Sequence, residues 1–169
     1  MTQSEKAALD AKICASLLSL DEVMRAKNIL VYAPFRNEID LVPFFEQICK
    51  EGKRTAFPKC EKDGRMDFFF CEYSSLSVQA YGIKEPSGLT EMFDGQQNTV
   101  CILPCLAVRE DGYRLGYGGG YYDRFLSKYD LIKIAPVYSD FVIESDSFDK
   151  NEFDIPTDII ITEEDIKRL

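Results

Sequence analysis

The chain alternates short apolar runs with stripes at helical spacing, and this alternation narrows its fold more than any other property. Asn28-Ile-Leu-Val-Tyr-Ala33 reads as a short buried strand stopped by Pro34, and Thr99–Leu103 as another stopped by Pro104. Lys53–Phe57 and Met66–Cys71 read as further strands, with Asp130–Val137 and Ile159–Ile161 near the end. Between them lie helix signals. Thr2-x-x-Glu5 forms a capping box ahead of Leu9, Ile13, Leu17 and Leu20, which recur at helical spacing. Asp40 can cap a second helix whose stripe is Leu41, Phe44, Phe45 and Ile48, with Gly52 closing it. Strands alternating with helices predict an α/β fold with a mostly parallel sheet. Residues 74–98, with Gly82, Pro86, Gly88 and Gly95, predict loops with short elements, and Tyr81–Pro86 is turn-rich with no mechanism of its own. The 169 residues contain no linker or internal repeat, so 1–169 is expected to be one domain.

Composition removes several classes of function. The chain contains no histidine, which excludes a Ser-His-Asp triad, a histidine-activated cysteine and nearly all catalytic zinc sites. What remains is chemistry by carboxylates, lysines, tyrosines, backbone dipoles or a hard metal ion, an inventory that suits phosphoryl transfer. A net charge of −9 leaves no broad basic surface, so no nucleic-acid partner is expected. No apolar run approaches the roughly 20 residues that span a bilayer, and Met-Thr-Gln-Ser-Glu-Lys lacks the pattern of a signal peptide. No membrane association and a cytoplasmic location are therefore expected. Six cysteines are scattered without a Cys-x-x-Cys pair and read as reduced structural residues.

Residues 112–126, Gly-Tyr-Arg-Leu-Gly-Tyr-Gly-Gly-Gly-Tyr-Tyr-Asp-Arg-Phe-Leu, lie between a strand-like run and a helix predicted from about Gly120 to Lys128. Glycine at this density lets the backbone approach a ligand and turn its N–H groups inward, and the following helix offers its positive end to an anion. No Gly-Lys-Ser/Thr follows, and the spacing does not fit Gly-x-Gly-x-x-Gly, so the segment is neither a Walker loop nor a dinucleotide fingerprint. Asp123 admits two readings: a charge favoured at a helix N-terminus, or a ligand to a Mg²⁺ ion that bridges it to phosphate. Arg114 is a candidate phosphate fork and Arg124 a structural partner on the helix. Glu38 follows the first strand and Lys59 ends the second, where each could face a cleft or simply meet solvent. Met66 and Phe68–Phe70 read as core.

Taken together and in this order, these segments resemble the 5-formyltetrahydrofolate cyclo-ligase family, also called 5,10-methenyltetrahydrofolate synthetases. The specific match is Leu103–Ala107 running into Gly112–Leu126. Arg36–Asp40, Pro58-Lys59, Met66–Phe68, Gly82–Pro86 and Asp154–Glu163 support it. The resemblance implies a three-layer, Rossmann-like domain. It also implies ATP- and Mg²⁺-dependent ring closure: ATP phosphorylates the formyl oxygen, N10 attacks the activated carbon, and phosphate leaves. By the same resemblance Arg114, Leu115, Gly116, Tyr117, Gly118, Gly119, Gly120, Tyr121 and Tyr122 line the ATP triphosphate. Asp123 holds Mg²⁺, and Arg114 and Asp123 are the catalytic residues. Glu38 binds the pterin's donor edge, Met66 and one of Tyr121 or Tyr122 lie against the folate, and Lys59 is a secondary contact. The implied substrate is 5-formyltetrahydrofolate, with or without a polyglutamate tail, and the implied state a monomer.

Three departures from the family pattern stand out. The basic first-helix stretch that reaches the nucleotide is not seen, and Lys6 is expected to be a poor substitute for it. Arg109 replaces a carboxylate, and Phe153-Asp154 stands where many members have His-Asp. These departures bear on nucleotide affinity and turnover rather than on the fold. A non-catalytic folate- or nucleotide-binding relative is the alternative, and another phosphoryl-transfer enzyme on the same scaffold a third.

Overall fold

The computed structural model describes residues 1–61, 63–79, 82–88 and 90–169; Tyr81, at the head of the turn-rich segment, lies outside them. Along the chain run α1 (Gln3–Ser19), α2 (Asp21–Arg25), β1 (Asn28–Leu30), α3 (Val42–Lys50), β2 (Arg54–Cys60) and β3 (Met66–Phe70). Then come β4 (Leu76–Val78), β5 (Lys84–Pro86), β6 (Thr99–Ile102), β7 (Ala107–Arg109), β8 (Arg114–Leu115) and α4 (Tyr121–Leu126). The chain closes with β9 (Ile132–Pro136), β10 (Val142–Ile143), β11 (Ile159–Ile161) and β12 (Ile166–Arg168).

The capping box forms as its residues predict: the Glu5 amide donates to Thr2 Oγ1 at 3.2 Å and the Thr2 amide to Glu5 Oε2 at 2.6 Å. At α3 the cap differs from expectation. Leu41 holds the N-cap position without a side-chain bond, while Asp40 Oδ1 still accepts the Val42 amide at 3.0 Å.

Seven strands form the central sheet in the order β12-β11-β9-β6-β1-β2-β3. The five middle strands are parallel, and the edge strands β3 and β12 are antiparallel to their neighbours. Two smaller sheets, β10-β7-β8 and β4-β5, lie outside it. Successive residues of the central strands face opposite sides, and both sides are covered. Ile29, Val100, Ile102, Ile134 and Ile159 pack with Ile13 and Leu17 of α1 and Phe44, Phe45 and Ile48 of α3. Leu30, Ala56, Cys101, Leu103 and Phe68 pack with Phe125 and Leu126 of α4. Helix, sheet and helix thus make the three layers of an α/β fold.

Several short elements go beyond the sequence expectations. β1 ends at Leu30 rather than Ala33, although Val31 still donates to the Ala56 carbonyl at 2.9 Å. β2 continues through Pro58 to Cys60. The Cys71 amide bonds the Thr55 carbonyl, so alternation turns position 58 away from β3, toward the side where β1 has ended. Proline therefore breaks no ladder bond there. β7, β8, β10 and β12 have two or three residues each, too few to show a period. No described helix is long and apolar enough to cross a membrane.

Candidate functional site

The loops after β1 and β6 leave neighbouring parallel strands at the same edge of the sheet. This is where open α/β sheets commonly form a binding crevice. The segment from β8 to α4 joins them, because β8 pairs with β7 just downstream of β6. Three sequence-distant pieces thereby meet: Val31–Asp40, Leu103–Leu106 and Arg114–Asp123.

Arg114 and Asp123 come together. The Arg114 side chain is only 7% exposed, and its Nη2 donates to Asp123 Oδ1 at 3.1 Å and to the Ile155 carbonyl at 3.3 Å. Asp123 Oδ1 also accepts the Ile155 amide at 3.1 Å, whereas Oδ2 accepts no hydrogen bond from the described residues. Arg114 Nε is buried without a partner. A buried, unpaired guanidinium N–H is costly, and it marks a place where an anionic ligand would complete the bonding. Among the described residues no group of three or more His, Cys, Asp or Glu could hold a metal. A metal at Asp123 would depend on that one carboxylate together with oxygens of a ligand and water, which is how Mg²⁺ is often held.

Beyond Arg114 the backbone opens. None of the N–H groups from Gly116 through Gly120 donates to a described residue. A Cβ at Gly116 or Gly118 would meet nothing within 4 Å, so this stretch presents bare backbone to solvent. Arg124 braces it from below, with Nη2 bonded to the Gly64 and Gly119 carbonyls at 2.8 Å each and its guanidinium over the Tyr121 ring. This is the structural role expected for it. α4 has six residues and ends at Leu126 rather than near Lys128, so its dipole adds less than a longer helix would.

Glu38 faces the same opening. Burial raises its pKa, while the Phe35 amide, donating to Oε2 at 2.9 Å, and Tyr117 pull the other way. Its charge also acts on Tyr32, Tyr122 and Cys105, whose own values are raised chiefly by burial. Tyr122 lies edge-on to Phe68 at 6.2 Å, and Tyr117 is 62% exposed. Met66 is buried among Leu30, Ala56 and Phe68, with Tyr121 and Tyr122 packed against that cluster; in this conformation it backs the tyrosines rather than facing solvent. Lys59 lies half-buried near the end of β2, and its ammonium has no hydrogen bond or ion pair with a described residue. Burial pushes Cys101 and Cys105 up to about 12, so neither supplies a thiolate nucleophile.

The departures have structural explanations. Arg109 is buried outside the opening, with Nε and Nη2 on Asp111 at 2.9 and 2.7 Å and Nη1 on the Phe148 carbonyl at 2.7 Å. It fastens the acidic loop. Phe153 is exposed two residues before Ile155. Lys6 lies inside α1, bonded to Asp10 and to the Glu38 carbonyl. The sequence reading missed Ile155, which acts through its backbone amide and carbonyl and so leaves no side-chain signal.

A family model described as the 5-formyltetrahydrofolate cyclo-ligase family matches residues 1–163. The 5-formyltetrahydrofolate cyclo-ligase of Escherichia coli (strain K12) is 28% identical over 167 residues, 96% of this chain and 92% of that protein. The protein of the same name from Mycoplasma pneumoniae is 30% identical over 164 residues, covering 95% and 88%. The NMR structure of Aquifex aeolicus 5,10-methenyltetrahydrofolate synthetase matches with a TM-score of 0.85 at 32% identity, covering 99% of this chain and 84% of that one.

Proposed function

Because the chain belongs to the 5-formyltetrahydrofolate cyclo-ligase family and is an enzyme of the ligase class, we propose that it closes 5-formyltetrahydrofolate to 5,10-methenyltetrahydrofolate using ATP and Mg²⁺, with release of ADP and phosphate. One observation carries the nucleotide half of this reading. A buried guanidinium with an unpaired Nε stands at the root of a loop whose N–H groups, Gly116 through Gly120, have no partner among the described residues. That combination is suited to a polyphosphate.

In this reading the Leu115–Tyr122 backbone cradles the triphosphate and Arg114 holds the phosphoryl group in transfer. Asp123 would hold Mg²⁺, which when bound neutralises charge on the phosphates. Glu38 accepts from the amino edge of the pterin, Tyr121 or Tyr122 lies against the folate with Met66 behind, and Lys59 is a secondary contact. Phosphorylation of the formyl oxygen by ATP turns a poor leaving group into a good one. N10 then attacks the same carbon and gives up its proton to solvent, the C–O bond breaks and phosphate departs. The residues supply position and charge, which phosphoryl transfer mainly requires, and no histidine is needed. The chain is read as a single, monomeric domain working in the cytoplasm.

The test is the absorbance of the methenyl product with purified protein, 5-formyltetrahydrofolate, ATP and Mg²⁺. Product formation that requires all three is expected. Folate binding without product would establish instead a non-catalytic relative. Asp123→Asn is expected to lower kcat by roughly 100-fold while folate affinity changes little; equal loss of both, or loss of neither, removes Asp123 from the metal role.

A further inference from the structure

Behind the Phe35–Asp40 turn lies a buried charged network that the proposed chemistry does not use. Asp10, on α1, is 5% exposed. It pairs with Lys6 Nζ at 2.6 Å and accepts the Tyr138 hydroxyl at 2.5 Å. Lys6 Nζ makes a second bond, 2.8 Å long, to the backbone carbonyl of Glu38. Nearby, Cys14 Sγ donates to the Asp40 carbonyl at 3.4 Å. Through Asp10, this ammonium group therefore links α1 and Tyr138, two residues beyond β9, to the turn that bears Glu38.

An i,i+4 pair on an open helix surface contributes little, and burying it carries a desolvation penalty. What distinguishes this pair is its third partner. The turn is closed on itself by the Glu38 amide on the Phe35 carbonyl at 3.2 Å and the Phe35 amide on Glu38 Oε2 at 2.9 Å. Those bonds fix the carboxylate relative to the turn but not the turn relative to the sheet. Lys6 supplies that second constraint from behind, through the carbonyl of the same residue. We propose that Lys6, oriented by Asp10 and Tyr138, is a positioning residue that sets the Glu38 carboxylate against the folate. The inference rests on the reading of Glu38 as the pterin contact.

Steady-state kinetics on the full chain, with both substrates varied, tests it. Lys6→Met combined with Asp10→Asn removes the anchor without stranding a buried charge. The folate KM is expected to rise about tenfold and the ATP KM to stay within about twofold. Lys6→Arg, which keeps a charged donor, is expected to restore the folate KM. Added to Glu38→Gln, the pair of changes is expected to cause no further rise, because coupled residues are non-additive. Equal rises for both substrates, no rise in a folded variant, or full additivity with Glu38→Gln overturns the positioning role. If Glu38→Gln itself leaves the folate KM unchanged, the pterin assignment fails instead, and the inference falls with it. Should the double variant not fold, Tyr138→Phe removes only one hydroxyl. A folate-selective rise in KM is expected there too, and its absence overturns the proposal.

Discussion

Withdrawal of Glu38 from water raises its pKa, and the Phe35 amide recovers only part of that effect. The folded pKa lies above the ordinary value of 4.5, so the protonated form favours folding. The ionised carboxylate withdraws that stability as pH rises through the folded pKa. Glu38→Gln is therefore expected to raise Tm above that pKa, with the difference vanishing below the ordinary value, while the folate KM rises at neutral pH. Thermal unfolding across pH together with substrate titration checks both; a fall in Tm at neutral pH would show that the charge is compensated in the folded protein. Arg114 is the opposite case. Its charge is buried beside Asp123 with Nε unpaired, and a phosphate would relieve the deficit. Arg114→Met is expected to raise the ATP KM and lower kcat together, by roughly 100-fold in kcat/KM, as read from initial rates. The sequence marked Arg114, Asp123 and Glu38 as polar residues in a suggestive order. It did not show that Arg114 and Asp123 pair, because that bond depends on how the β7-β8 hairpin and α4 fold back on each other.

At the scale of elements, legibility followed length. α1 and α3 carried enough turns for their apolar stripes to be counted, and both formed where Ile13 and Leu17, or Phe44, Phe45 and Ile48, required burial. Strands of two or three residues such as β8 and β10 leave no period to read. After Leu126 the chain turns through Ser127 and Lys128, with the Lys128 and Tyr129 amides on the Phe125 and Leu126 carbonyls, and the Tyr129 ring packs on Phe93 and Phe125 at 5.0 Å each before β9 begins. Phe125 is the peg of this element, touching Phe68 at 4.8 Å and Phe93 at 6.1 Å. Phe125→Ala is expected to destabilise the protein by about 3–5 kcal/mol, measured by urea unfolding. Turnover should fall too, since α4 carries Tyr121, Tyr122 and Asp123. Gly112 governs the neighbouring hairpin. It has φ +91, and a Cβ there would approach the Thr157 carbonyl to 2.8 Å and Leu169 Cδ1 to 2.6 Å. Gly112→Ala is expected to lower stability by roughly 2–4 kcal/mol, seen as a fall in Tm.

Across the whole molecule, the crevice is assembled from pieces that the sequence separates widely: the turn after β1, the loop after β6, the glycine loop and, from near the C-terminus, Ile155. The parallel pairing of β6 with β1 brings the first two to one edge, the β7-β8 hairpin carries the glycine loop there, and Ile155 joins through its bonds to Arg114 and Asp123. Among the described residues no group of three or more His, Cys, Asp or Glu could hold a metal, and in the proposed reading Mg²⁺ would arrive with the nucleotide. Treating the protein with EDTA is expected to stop turnover while leaving Tm in the absence of ATP unchanged. A large drop in Tm would instead reveal a structural ion.

The sequence alone determined the α/β class, the exclusion of histidine-based chemistry and the glycine-rich loop. Each of these follows from residue type and local spacing. Only the tertiary structure decided that Arg114 meets Asp123 and Ile155, that Arg109 fastens the acidic loop outside the crevice, and that Lys6 reaches the Glu38 carbonyl. Those contacts join residues far apart in the chain or use backbone atoms that every residue has, so no local pattern can record them.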